Sequence, residues 1–244
     1  MKANGARIPR LAVAFSLTVS LVSLGEATSG LIGLALDDPA TRDVVERSTL
    51  ARNLQPVRFL GTVEITDWLL DRPQLTAALA RHLHPPLEQY QIARRDDGSY
   101  AVNDLGSLRG SLRLVAREAN RRIYLCQGQF RSLAHILPLT GNMVLALEYR
   151  DLPQEGLTST EGRPQLYVRL DNLVARAVLR VVAPLLHGVI DRRVAKLTAA
   201  THAVGERIGR DPRGLYREMQ TWSDIRPEDL EAYRRAFVVE RFGR

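Results

Sequence analysis

Apolar and polar positions alternate with a period of two along much of the middle of the chain. The pattern begins at Val57: Val57, Phe59, Gly61, Val63 and Ile65 share one face and Arg58, Thr62 and Glu64 the other, which predicts a first strand over 57–65. Its cleanest stretch is 108–117. There Leu108, Gly110, Leu112, Leu114 and Ala116 face one way and Arg109, Ser111, Arg113, Val115 and Arg117 the other, so one face packs and one is wet. Between these two strands the period changes. Thr66 or Asp67 caps a short helical turn over 68–71, and Pro73 opens a second helix that runs to about Leu83 with Leu75, Ala78, Leu79 and Leu83 on one stripe. Pro85 and Pro86 stop it. The turn Asp96, Asp97, Gly98 joins 87–94 to 99–103 as a hairpin. Glu118 to Asn120 turns the chain into a strand over 121–130, and 142–149 places Met143, Leu145, Leu147 and Tyr149 on one face. The stretch 151–164, rich in Gly, Pro, Ser and Thr, reads as a loop, and 165–170 as the last of seven strands.

A helical period follows, capped by Asp171 or Asn172 and continuing to about Ile208. Arg176, Arg180, His187 and Asp191 form a polar stripe about 60° wide at 100° per residue, while Val174, Val178, Val181, Val182, Leu185 and Val189 occupy the other sides. A helix so broadly apolar must be covered along its first half, as a curved sheet wrapped against it would do. Pro184 predicts a kink. Residues 37–54, of mixed charge, read as a short exposed helix or leader. Beyond Gly209 comes a polar tail with a helix over 227–237, whose Leu230, Tyr233, Phe237 and Val238 equip it to dock on the main domain.

The order is strand, two short helices broken at a Pro, six antiparallel strands, then one long helix. With the break at Asp71 to Pro73, the hairpin at Asp96 to Gly98, and Arg169, Leu170 and Asp171 leading straight from strand to helix, residues 57 to about 208 resemble the START or SRPBCC-like superfamily. The resemblance implies an α+β helix-grip fold, with a seven-stranded curved antiparallel sheet wrapped on a long C-terminal helix. It also implies a cavity between sheet and helix, of the kind that holds a lipid, sterol, polyketide or other apolar molecule. Its candidate lining is Leu112, Leu114, Gln127, Met143, Leu145, Val178 and Leu185, with Gln127 and Gln129 facing either a ligand headgroup or solvent.

The first residues read as an export signal. Lys2, Arg7 and Arg10 precede an apolar run from Leu11 to Leu24, and small residues at 25 and 27 offer cleavage after Ala27. The run is shorter than the roughly 20 residues a spanning helix needs. The competing reading is an uncleaved anchor, since Leu31 to Leu36 resumes the apolar character, at the cost of placing Glu26 in the bilayer. The expected organisation is a signal peptide over 1–27, a leader over 28–56, the helix-grip domain over 57–208 and a helical tail over 209–244.

Composition narrows the function. With 244 residues, 45% hydrophobic and 25% charged, collagen-like, coiled-coil and wholly disordered chains are excluded. The net charge of +7 comes from 34 Lys plus Arg, of which only Lys2 and Lys196 are lysines. So strong an Arg bias is also what GC-rich coding produces, and the acids are interspersed with it. Export removes nucleic acid as a partner. The single Cys126 excludes an internal disulfide and a thiolate zinc site, and reads as a small packing group.

The five histidines show no metal-ligand spacing. His82 and His84 read as capping or solvated groups. His187 and Asp191 are four apart on one helical face, as an acid/base pair or a solvent-side ion pair. No serine has the context of a nucleophile elbow, and GSLRG lacks phosphate-loop spacing. No catalytic group, metal or cofactor is expected. The leading expectation is an exported protein binding a hydrophobic small molecule or lipid. The alternatives are a cyclase- or hydrolase-like enzyme using His187 with Asp191, and an envelope-associated protein contacting an anionic membrane surface through the apolar first half of the long helix and the strand face of Arg109, Arg113 and Arg117.

Overall fold

The structure, a computed structural model, describes residues 37–84, 90–104, 108–131, 138–152, 158–171 and 199–239. Among them are eight strands: β1 (Leu50–Asn53), β2 (Val57–Leu60), β3 (Tyr90–Arg94), β4 (Tyr100–Asp104), β5 (Leu108–Glu118), β6 (Arg121–Arg131), β7 (Pro138–Leu152) and β8 (Ser159–Leu170). They form one antiparallel sheet in the order β1-β8-β7-β6-β5-β4-β3, with β2 also on β8. The helices are α1 (Pro39–Glu46), α2 (Val63–Leu70), α3 (Pro73–Leu83), α4 (199–210), α5 (Pro212–Met219) and α6 (Pro227–Tyr233), the last extended by a π-helical turn, Arg234–Val239. A curved antiparallel sheet, two helices between its second and third strands and a helix after its last make this an α+β fold of the helix-grip class.

The eighth strand, β1, has only four residues, too few for its alternation to show. Leu50 pairs with Val168 and Asn53 with Gln165, while β2 pairs Val57 with Gly162 and Leu60 with Ser159. The two therefore lie in tandem along one side of β8, which starts well before 165. Pro164 sits opposite the break between them, where Leu54 donates to its carbonyl at 2.9 Å. A proline lacks a ladder donor, so an interrupted neighbour is where a strand tolerates one.

Three expectations are corrected. The strand predicted to Ile65 stops at Leu60: Gly61 takes φ +127° and Thr62 caps α2 through the N–H of Ile65, so Val63 and Ile65 continue as helix. In β5 a bulge shifts the register between Leu114, opposite Tyr124, and Ala116, opposite Ile123. One extra residue exchanges faces; Ala116 moves to the Ile123 face, and Arg117, expected beside Arg109 and Arg113, joins Arg122 opposite it. Finally, the short helix expected in 37–54 is present as α1, but it is docked on the sheet and not simply exposed. Asp38 caps α1 by accepting from the N–H and hydroxyl of Thr41, Arg113 bonds Asp38 at 2.9 Å, Arg169 pairs with Asp43, and Val44 is buried.

Two apolar cores result. Under α1, on the outer face of the sheet, Val44 packs with Ile123, Leu125, Val144, Ala146 and Tyr167. The other core joins the helices: Ile65, Leu69, Leu75, Leu79, Ala200, Val204, Ile208, Leu215, Met219, Tyr233 and Phe237. Ala200, Val204 and Ile208 are the four-residue stripe of α4, and the tail beyond 209 is folded into this cluster. Residues 1–36 and 172–198, with the export segment, most of the long predicted helix, and Val178, Leu185, His187 and Asp191, lie outside the described residues. Among the described residues no helix is long and apolar enough to cross a membrane.

Candidate functional site on the inner face of the sheet

Register assigns the faces. Directly paired residues of antiparallel strands project to the same side, so Tyr100, Leu112, Cys126, Met143, Val168 and Leu50 form one row across six strands. The next row is Leu114, Tyr124, Leu145 and Leu166. These are the residues opposite α1, on the inner face. Leu112, Leu114, Met143 and Leu145, four of the expected lining residues, thus stand side by side. Gln127 does not join them. It pairs with Ser111 and Asn142, one residue out of phase with Cys126, and projects exposed from the outer face. Gln129, two further on, shares that face, so neither glutamine serves an inner-face headgroup.

The two faces are packed differently. On the outer face Ile123 and Val144 are 0% exposed and Ala146 and Tyr167 1%. On the inner face Leu112, Leu114, Cys126, Met143, Leu145 and Val168 are each only partly buried and belong to neither core cluster, while Tyr124, Leu147, Tyr149 and Leu166 of the same face are buried. Beyond the Met143 row lies a third, in which Gly110, Gly128 and Gly141 are neighbours. A Cβ on Gly110 would stand 2.2 Å from the Gln127 carbonyl oxygen, and one on Gly128 2.5 Å from that of Arg109. The strands approach too closely there for a side chain.

At the opposite end the inner face becomes polar, with little sign of it in the residue pattern. Arg122, 4% exposed, donates from Nε to Asp71 at 2.7 Å and from Nη1 to the carbonyl oxygens of Glu118 and Arg121 at 2.5 and 2.9 Å. Its Nη2 reaches Asp67 Oδ1 at 2.7 Å. Tyr149 donates its hydroxyl to the same oxygen of Asp67, Tyr124 donates to the Leu70 carbonyl at 2.6 Å, and Arg117 reaches Asp71 at 3.1 Å. Burial opposes the Arg122 charge, but the hydrogen bond to Asp71 and the charges of Asp71 and Asp67 outweigh it and raise its pKa. Burial, aided by the bond to Asp67, pushes the Tyr149 phenol up, and burial with the Asp71 charge does the same for Tyr124. Both tyrosines are therefore neutral donors.

This network fastens the C-terminal end of α2 to the β5–β6 hairpin. Removing one partner of so buried a pair leaves an uncompensated charge and typically costs about 3–5 kcal/mol. Only the helical face of α2 and the Arg pair at 121 and 122 hinted at it, because which acid meets which arginine depends on the bulge in β5.

No family model matches the chain, and no curated protein matches it. Among solved structures, it is similar to a conserved protein from Geobacillus kaustophilus, with 12% identity, a TM-score of 0.45, and 65% of this chain aligned to 97% of that one. It is similar also to norcoclaurine synthase from Thalictrum flavum, at 12% identity, a TM-score of 0.41, and 66% against 88% coverage. The protein XoxI from Bacillus cereus aligns at 14% identity, a TM-score of 0.37, and 62% against 94% coverage.

Proposed function

We propose that this protein is exported and holds a hydrophobic small molecule or lipid against the inner face of its sheet. The observation that supports this reading is the contrast between the faces. Val144 on the outer side is 0% exposed, whereas its neighbours in sequence, Met143 and Leu145, are partly open and outside both cores. A stretch of apolar residues in the middle of the inner face that is only partly buried suits an apolar occupant. The export signal read from residues 1–27 puts that occupant outside the cytoplasm. Organic extraction of the purified protein should release a bound apolar molecule, detected by mass spectrometry. Repeated recovery of empty protein that also takes up no apolar fluorophore would overturn the proposal.

The anionic-membrane alternative has less support. Of the three arginines that formed its cationic part, Arg113 pairs with Asp38 at 2.9 Å and Arg117 with Asp71 at 3.1 Å, so much of that charge is compensated within the chain.

A further inference from the structure

The outer face of the sheet ends in two rows of charged side chains beyond the apolar core under α1. Arg58 of β2, Glu161 of β8 and Arg150 of β7 are direct cross-strand partners and form the outermost row. Arg163, Glu148, Arg121 and Glu118 form the next. Arg150 lies six residues from Val144 on β7 and Glu161 six from Tyr167 on β8. Even steps keep a residue on one face, so these side chains project from the face that α1 partly covers, about 20 Å further along the strands.

Charge is unevenly compensated in these rows. Arg121 stands 3.7 Å from each of Glu118 and Glu148, which hold it from both sides. Glu161, 12% exposed, accepts from Arg150 Nη2 at 3.2 Å and from Arg163 Nε at 3.1 Å on the same oxygen, Oε1. The two arginine side chains remain 60% and 58% exposed. Arg58 is exposed, and among the described residues no ion pair reaches it. Asp151, next along β7, projects to the other face and accepts the N–H of Val63 at 2.8 Å, and Glu64 belongs to the first turn of that same helix. Among the described residues the two rows thus hold four arginines against three glutamates, and the excess falls on Arg58, Arg150 and Arg163 around the single Glu161.

A guanidinium held by a fixed carboxylate keeps its other donors in a set direction, and its planar fork matches phosphate oxygens. What the rows lack decides which carrier of phosphate they fit. Neither contains an aromatic or aliphatic side chain, the anchors on which a protein interface depends. The guanidinia stand on an open sheet face, where solvent and salt screen the hold on any single small anion. A plane of anionic headgroups meets all three at once. We propose that Arg58, Arg150 and Arg163 form a docking surface for anionic phospholipid headgroups, which sets this end of the outer face against a membrane. The surface is separate from the strand face of Arg109, Arg113 and Arg117 and does not depend on a ligand at the inner face.

The test is flotation of the full chain with vesicles of phosphatidylglycerol and of phosphatidylcholine at about 50 mM salt, where surface charges are weakly screened. The ratio of the two partition coefficients is the readout, because binding through apolar segments cancels in it. The wild-type ratio should favour the anionic lipid at least tenfold and fall as salt is raised. Arg58→Gln, which breaks no ion pair among the described residues, should reduce it about fivefold, and Arg150→Gln with Arg163→Gln about thirtyfold, the usual worth of one and of two basic side chains at such a surface. Arg109→Gln, nine residues along β5 from Glu118 and so about 30 Å away, should leave it unchanged. A wild-type ratio near one overturns the docking surface, as does a ratio that Arg58→Gln leaves unchanged or that Arg109→Gln lowers equally. Loss of vesicle binding to inorganic phosphate at matched ionic strength also overturns it, in favour of a site for a free anion.

Discussion

Gln74 accepts the backbone N–H of Arg94 at 2.7 Å, and seven residues further along α3 Arg81 donates to the carbonyl oxygen of Tyr90 at 3.1 Å. Residues seven apart lie on one face of a helix, so α3 runs alongside β3 with a polar side chain at each end of it. Because β3 is the edge of the sheet, its outward backbone groups would otherwise be a template for another strand. Gln74→Ala should lower the urea unfolding free energy by about 1 kcal/mol, the net worth of one such bond. The double substitution Gln74→Ala, Arg81→Ala should in addition raise light scattering on heating. Scattering equal to wild type would show that the edge is guarded by something else.

Gly205 and Gly209, one helical turn apart in α4, should respond to alanine with opposite signs. A Cβ on Gly205 would stand 2.2 Å from the carbonyl oxygen of Leu60 at the end of β2, while one on Gly209 would meet nothing within 4 Å. Alanine is favoured over glycine in a helix by about 1 kcal/mol. At 209 that gain should appear nearly in full as an increased denaturation midpoint. At 205 backbone must move to admit the methyl, at a cost of about 1–3 kcal/mol that exceeds the gain. Equal effects at the two sites would mean that α4 does not rest on β2.

Asp224 ties the loop between α5 and α6 to α3. Its oxygens meet His82 Nε2 at 2.8 Å and Arg81 Nη2 at 2.5 Å, and the His82 ring stacks on Trp222 at 4.0 Å. Partial burial would raise the carboxyl pKa, but the hydrogen bonds from His82 and Arg81 prevail and lower it. A carboxyl lowered on folding contributes stability that is whole above its unfolded value, about 3.9, and is lost as pH falls through the folded value. The melting temperature of wild type should therefore exceed that of Asp224→Asn at pH 5, and the gap should close progressively below pH 4. A gap that stays constant down to pH 2.5 would rule out the ionised pair.

Much of this was legible in the sequence where the signal is local. Pro73 and the stripe Leu75, Ala78, Leu79 delimit α3 as read, Asp97 bonds the Ser99 N–H at 2.9 Å in the predicted turn, and β6 begins where the alternation said it would. What escaped depends on partners distant in sequence. Nothing in Leu108 to Arg117 announces that Val115 is the extra residue of a bulge, because both its neighbours continue the alternation. Without the bulge, Arg117 cannot be placed beside Asp71. The stretch Val63 to Ile65 suits a strand and a helix equally by side chain, and Gly61 followed by a Thr cap decides it. For the site, the apolar half was readable as period two. The Asp67 network was not, since it joins residues 67, 71, 122 and 149 from three elements.

Cys126 gives the inner face a chemical reporter. It stands between Leu112 and Met143 in the central row, and burial alone pushes its thiol pKa up to about 12. Thiolate is the reactive form. At pH 7.5 a thiol of that pKa is ionised to roughly 3 parts in 100,000, against about a tenth for an ordinary one near 8.5. Iodoacetamide should therefore alkylate Cys126 in the native protein at least a thousandfold more slowly than in guanidinium, followed by intact mass. Raising the pH from 7.5 to 9.5 should speed native labelling roughly a hundredfold with no plateau, because the thiol remains far below its midpoint throughout. A plateau near pH 9 would mean that burial does not hold the thiol protonated.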